Sequence, residues 1–248
     1  HVIRIQKLIA RFIAEDFSIV IVGDRGHAEV EGLLGYARGR GRVVESEVTP
    51  EMSSFKTRDI THIITSRDPW FRPVDIKAGP DGAIYVADWY DRNVEHVLVQ
   101  DGRIENRNGR IYRVTARGKT LNLPFDLAAL SSPQLVELLG HPNKWFRQTA
   151  LRIFADRKDR KIIPALTELV ATATGQRALE ALWALNLSGG LSEATALQTL
   201  GHADPFVRLW TARLLCDDNQ VSPAIAEKLA RLAQTETNVE VRAQLACS

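Results

Sequence analysis

Cysteine is almost missing from this chain: Cys216 and Cys247 stand alone in 248 residues. Neither sits in a CxxC or CxxCH spacing, which excludes a zinc ribbon, a c-type haem attachment and a disulfide framework, and leaves two core thiols in helical sequence. No run of 18 apolar residues occurs, and no charged opening leads into a short apolar stretch. Neither a membrane span nor a signal peptide is therefore expected. Methionine is nearly absent too. The chain opens at His1 with Met52 as its one methionine, so a piece of a longer reading frame is expected, and the last helical stretch, 239–248, reads as the start of a further pair.

An excess of one charge is also lacking. The 32 basic residues face 30 acidic ones, and the balance holds locally: 7 against 7 in residues 1–47, 12 against 10 in 48–120, and 13 against 13 in 121–248. No segment carries the electrostatic footprint of a nucleic-acid binder. The one basic run, Arg38-Gly39-Arg40-Gly41-Arg42, reads as a solvated turn.

What is present changes character twice along the chain. Residues 1–16 place Val2, Ile5, Leu8, Ile9, Phe12 and Ile13 on one face of an amphipathic helix. The apolar run 17–22 (FSIVIV) predicts a parallel strand covered on both faces, with residues 23–27 turning the chain at its carboxyl end, where open α/β sheets bind ligands. The stretch GDRGHAEVEGLLGYARGRGRVV then resembles the 4-hydroxy-3-methylbut-2-enyl diphosphate reductases, the iron–sulfur enzymes that finish the non-mevalonate isoprenoid pathway. The matching residues are Gly26, His27, Glu29, Val30, Gly32 and Gly35, with Ala28 where that family has proline.

The resemblance implies that His27 holds a substrate diphosphate and that Glu29 belongs to a proton relay. It also implies a [4Fe–4S] cluster, which that family holds on three cysteines, and the cysteine ligands are absent from this segment. By residue chemistry alone, His27 is a loop histidine and Glu29 an acid favoured by a helix N-terminus.

From Val48 the α/β pattern stops, and the change near Glu47 reads as a junction between unrelated sequences. Residues 68–91 (DPWFRPVDIKAGPDGAIYVADWYD) predict a hairpin around Pro80-Asp81-Gly82, in which Ala83, Tyr85 and Ala87 alternate with Ile84, Val86 and Asp88. Two more short strands, 93–100 and 109–116, complete a blade-like antiparallel sheet. This part resembles the last blade of the propeller in large planctomycete-type proteins related to quinoprotein sugar dehydrogenases, through Trp70-Phe71-Arg72-Pro73-Val74-Asp75, Tyr85-Val86-Ala87-Asp88 and Gly109-Arg110-Ile111-Tyr112-Arg113. That resemblance places Arg72 and Asp75 toward a central channel; the simpler reading has them pair with each other or bond the turn. One blade alone leaves an apolar face uncovered.

From Leu121 the period is helical, with Ser132 read as an N-cap before Pro133. LLGHPNKWFRQTALRIFAD recurs as TLGHADPFVRLWTARLLCDD, and alignment on Arg147, Arg177, Arg208 and Arg242 gives four units of paired helices. The units resemble HEAT repeats. Ala150, Ala181, Ala212 and Ala246 are the small residues of close approach, and each arginine is expected to bond turn carbonyls or an acid such as Asp204. His141 and His202 recur before the helix turns and read as caps, with no metal site indicated.

The expected fold is therefore mixed and multi-part: an α/β fragment over 1–47, one antiparallel propeller-like blade over 48–120, and an α-solenoid of HEAT-like helix pairs over 121–248. The expected function is a scaffold or binding module with a protein partner on the solenoid and no complete catalytic site. The alternative is an oxidoreductase, the iron–sulfur reductase represented by a partial segment. The resemblances imply different locations, cytoplasmic for the reductase and the cell envelope for the propeller and repeats.

Overall fold

The computed structural model describes residues 19–22, 42–52, 54–68, 70–90, 108–115, 126–217 and 220–248. The chain divides into two compact units, His1–Thr49 with Lys56–Leu123, and Pro50–Phe55 with Pro124–Ser248. The fold is mixed: small antiparallel sheets and, among the described residues, eight α-helices. The described strands form two three-stranded sheets and no closed barrel or ring.

The first sheet has the order β1 (Ile19–Val22), β2 (Arg42–Glu51), β3 (Ser54–Thr65). β1 runs antiparallel to β2, with Ile21 opposite Val43, which corrects the expectation of a parallel strand. An apolar run reports burial on both faces, not strand direction. β2 makes the same point, since Val43, Val44, Glu45 and Ser46 are all buried in succession. Of the two polar ones, Ser46 is held by β3: its Oγ donates to Asp59 Oδ1 at 2.7 Å. Val48, where the sequence changes character, lies inside β2.

The second sheet has the order β4 (Pro73–Ala78), β5 (Ile84–Asp88), β6 (Arg110–Val114), antiparallel throughout. The hairpin register pairs Ala78 with Ile84 and Ile76 with Val86. Its turn works as the sequence predicts: Gly82 takes φ +71°, and Asp81 Oδ1 accepts the Ala83 N–H at 3.1 Å. Ile84, Val86 and Asp88 point to the buried face while Tyr85 and Ala87 are half-buried. β5 pairs directly with β6; the expected strand over 93–100 lies outside the described residues.

The apolar face expected to be bare is covered. Val43, Ile63 and Ile64 of the first sheet join Ile76, Ile84, Val86, Tyr112 and Val114 of the second in one cluster. Residues from both sides of Val48 thus build a single small core.

The second unit contains α1 (Ser132–Leu138), α2 (Lys144–Arg157), α3 (Ile163–Thr172), α4 (Gly175–Leu187), α5 (Glu193–Thr199), α6 (Pro205–Cys216), α7 (Pro223–Thr235) and α8 (Val239–Cys247). Consecutive helices pair, α2, α4, α6 and α8 stack as one layer, and α3, α5 and α7 stack as another. Capping fixes the starts: Asn143, Asp204, Ser222 and Asn238 accept N–H groups of the first turn. Proline occupies an opening position of α1, α3, α6 and α7.

At α1 the cap is Ser131, one residue before the predicted Ser132. Gln134 Oε1 accepts both the N–H and the hydroxyl of Ser131 at 2.9 Å, which leaves Ser132 free to donate to Asp159 Oδ2 at 2.7 Å. Ala150, Ala181 and Ala212 are fully buried where helices approach, whereas Ala246 is exposed. The main core runs through Leu135, Phe154, Leu166, Leu182, Leu185 and Val207, each fully buried leucine contributing about 1.5–3 kcal/mol.

Candidate functional site

His27 and Glu29 lie outside the described residues. The remaining residues singled out from sequence fall into two places, one in each unit.

At the end of β5, Asp88 is 3% exposed on the apolar side of the sheet. Its Oδ1 accepts the N–H groups of Arg72 at 2.7 Å and Tyr90 at 3.0 Å, while Oδ2 has no hydrogen-bond partner. Asp88 therefore closes the strand end by holding two backbone donors, a task the alternation, which gave only its face, did not state. Arg72 is buried, and its Nη1 donates to Phe71 O at 3.0 Å. Asp75 is exposed and takes Lys77 Nζ at 3.0 Å, a bond that, with the Ile76 N–H, holds its carboxyl below the ordinary value against the opposing effect of burial. Arg72 and Asp75 thus occupy different environments, one interior and one solvated.

Aromatic rings surround the strand end. Trp70 and Tyr90 lie 5.9 Å apart, Phe71 meets Tyr112 edge-on at 5.6 Å, and the Arg110 guanidinium sits 4.0 Å over the Tyr90 ring. Tyr90 has φ +51°, and Trp89 beside it is 55% exposed. At the opposite end of the sheet, Asp81 Oδ2 receives Tyr85 OH at 3.0 Å and both Nε and Nη2 of Arg113 at 2.8 and 2.5 Å. Burial opposes ionisation of Asp81, but the Ala83 N–H, Arg113 and Tyr85 outweigh it and hold the carboxyl below its ordinary value. Sequence reasoning treated Asp81 only as a turn residue and missed the bond to β6.

In the helical unit, the arginines divide. Arg147 Nη1 donates to His141 O and Pro142 O at 2.9 and 3.0 Å, and its Nε donates to Glu180 Oε1 of α4 at 2.9 Å. Arg208 repeats the arrangement, with Nη1 on His202 O and Ala203 O at 2.7 and 3.0 Å and Nε and Nη2 on the two carboxyl oxygens of Glu236. The carbonyls belong to the turn before the arginine's own helix, and the acid comes from the following helix pair. Asp204 has a different task from the one expected: its Oδ1 caps α6 through Phe206 N–H and its Oδ2 accepts Gly175 N–H at 2.9 Å.

Arg177 is exposed and only approaches Glu137 Oε2 at 3.9 Å, and Arg242 is exposed on α8. Glu180 and Glu236 were not foreseen. Their signal was an acid following the arginine by 33 and 28 residues, a spacing too irregular to stand out in one sequence.

The constellation is built for cohesion. Among the described residues, no three His, Cys, Asp or Glu side chains gather to hold a metal ion. A recess of about 330 Å³ at the ends of α2 and α4 is lined by Lys158, Arg160, Asn186, Leu187, Ser188 and Gly189, a set without a carboxylate or imidazole for proton transfer. No helix among the described residues is long and apolar enough to cross a membrane.

Residues 1–67 match the family model described as LytB protein, and residues 38–118 match a domain of unknown function, DUF7133. Each is a similarity over less than half of the chain, and the two overlap at 38–67, across β2 and β3. No curated protein and no solved structure matches the chain.

Proposed function

We propose that this chain is a helical-repeat binding scaffold carried beside a small two-sheet unit, without catalytic chemistry of its own. The observation that carries this reading is the pair of arginine locks at Arg147 and Arg208, which tie successive helix pairs into a two-layer stack of HEAT-like units. Such a stack offers the solvent side of α2, α4, α6 and α8 to a protein partner. The sheets are read, on the sequence resemblance over 70–113, as the terminal blade of a dehydrogenase-like propeller plus strands that cover it; the match to a domain of unknown function spans β2 to β6. By that resemblance the partner belongs to the cell envelope.

The test is affinity capture on the full chain with envelope extract, followed by cross-linking. Cross-links from one partner to α2, α4, α6 or α8 are expected. Capture of nothing above a bead control, or cross-links confined to the sheets, would sink the reading.

The match over residues 1–67 favours a second reading, a partial 4-hydroxy-3-methylbut-2-enyl diphosphate reductase in which His27 would bind diphosphate and Glu29 would relay protons. The donor set does not fit the [4Fe–4S] cluster that this enzyme needs. The chain has two cysteines, Cys216 half-buried on α6 and Cys247 exposed on α8, and such clusters require more thiolates. Anaerobic reconstitution with iron and sulfide is expected to leave the protein without a charge-transfer band; stoichiometric cluster absorbance would restore the reductase reading.

A further inference from the structure

One strip of the helical unit is both aromatic and open to solvent. Along α6, Phe206, Trp210 and Arg213 recur at the spacing of one helix face, with Phe206 43% exposed, Trp210 half-buried and Arg213 exposed. On α4, Trp183 meets Trp210 edge-on at 5.0 Å, and Leu187, a turn further on, is 37% exposed. The Arg213 guanidinium lies 5.0 Å over the Trp210 ring and, among the described residues, pairs with no carboxylate. Trp183 Nε1 has no hydrogen-bond acceptor. Indole rings beside an unpaired arginine are the composition of the energetic centre of a protein interface.

Charge decides the occupant. Helices α2, α4, α6 and α8 carry 8 basic against 3 acidic side chains, whereas α1, α3, α5 and α7 carry 2 against 4. The excess survives the buried locks: without the Arg147–Glu180 pair, and without Arg208, which Glu236 neutralises, 6 stand against 2. α6 itself has no acid, and Asp217 just past its end makes no ion pair with Arg213. A basic segment laid on this strip meets repulsion, and a purely apolar one strips water from Arg213 without replacing it. An acidic side chain close to a large apolar one satisfies both halves.

We propose that the strip formed by Trp183, Trp210 and Arg213 docks an acidic peptide segment of a partner protein, with a large apolar side chain against the indoles and a carboxylate on Arg213. This names the partner's chemistry and rests on the scaffold reading.

The test selects binders from a random peptide phage library on the immobilised full chain, then measures the recovered peptides, labelled with a fluorophore, by anisotropy. Selected sequences are expected to combine aspartate or glutamate with leucine, phenylalanine or tryptophan, and to bind more weakly as salt rises. Arg213→Glu should weaken them by about tenfold or more, and Phe206→Ser by a smaller factor. Arg231→Glu makes the same charge change at an exposed arginine of α7 and should leave binding unchanged. Arg213 and Phe206 are both exposed, so the helical signal of each variant should match that of the unsubstituted chain. No enrichment, enrichment of basic or uncharged sequences, or equal losses in Arg213→Glu and Arg231→Glu would overturn the proposal. Partner cross-links to α2, α4, α6 or α8 that persist undiminished in Arg213→Glu would also overturn it, while leaving the scaffold reading in place.

Discussion

The helical unit and the sheet unit solve the same problem with different materials. In the helical unit stacked pairs share an apolar core from Leu135 through Phe154 and Leu182 to Val207, and the last pairs close a second one around Leu200, Ala212 and Ile225. In the sheet unit the fully buried part of the shared core is Val43, Ile84 and Val86, and polar side chains fix the ends: Asp88 at one end of β5 and Asp81 with Arg113 and Tyr85 at the other. Apolar area stabilises without direction, whereas a few directed bonds specify register more than they stabilise. The helical unit should therefore tolerate surface change and fail at its buried ion pairs; the sheet unit should fail at its turns.

The largest effect is expected at Arg147. Arg147→Ala leaves Glu180, 2% exposed, without its cation and should lower stability by about 3–5 kcal/mol. The double substitution Arg147→Met with Glu180→Met should recover most of that loss, because apolar replacement of a buried pair is often neutral to within about 1 kcal/mol or stabilising. Urea unfolding followed by the helical signal measures both. If the double variant is as unstable as the single, the loss comes from the turn carbonyls that Arg147 also binds and not from the stranded acid.

Gly79→Ala is expected to come next, and in the other unit. A Cβ at Gly79 would enter the Tyr85 ring and lie 2.7 Å from Asp81 Oδ1, so the hairpin must shift at a cost of about 1–3 kcal/mol. Tyrosine fluorescence should report the shift while the helical signal stays. An equal effect on the helices would mean that the units do not respond separately.

How far each unit was legible follows from the same contrast. Helical periodicity and the recurrence of His141 and Arg147 as His202 and Arg208 sufficed to read paired helices around α2, because local chemistry sets the helical period. The hairpin was legible for the same reason, through Asp81 and Gly82. The direction of β1, the cover that Val43, Ile63 and Ile64 give the second sheet, and the acids opposite Arg147 and Arg208 are long-range choices that no local pattern states. The cap at Ser131 was missed because two adjacent serines precede Pro133, and only Gln134 three residues on distinguishes the first.

Acid offers a subtler comparison. The Glu236 carboxyl is held below its ordinary value, first by the hydrogen bond from Arg208 and against burial, and Asp81 is held low in the sheet unit by the bonds that overcome its burial. A depressed folded-state value means stability fully present above the ordinary carboxylate range, near about pH 4, and lost as pH falls through that range and below it. Both units should therefore soften in the same window. Asp81→Asn should flatten the acid response of tyrosine fluorescence alone, and a change in the helical response as well would show that the Arg208–Glu236 pair is not what the helices lose.

The smallest effect is the one that separates a lock from a lookalike. Arg177 aligns with Arg147 and Arg208 in sequence, yet it is exposed and lies 3.9 Å from an exposed Glu137, a geometry worth about 0–1 kcal/mol. Arg177→Ala should leave the urea midpoint within error while Arg208→Ala, which strands Glu236, shifts it clearly. Locks at alternate arginines fasten two joints of the unit by ion pairs, while the joint between them is held by bonds to backbone, Asp204 Oδ2 on Gly175 N–H and His202 Nε2 on Val170 O, with Trp183 against Trp210. If Arg177→Ala proves as damaging as Arg208→Ala, every joint is fastened alike, and the contrast between buried and exposed arginines carries no energetic meaning.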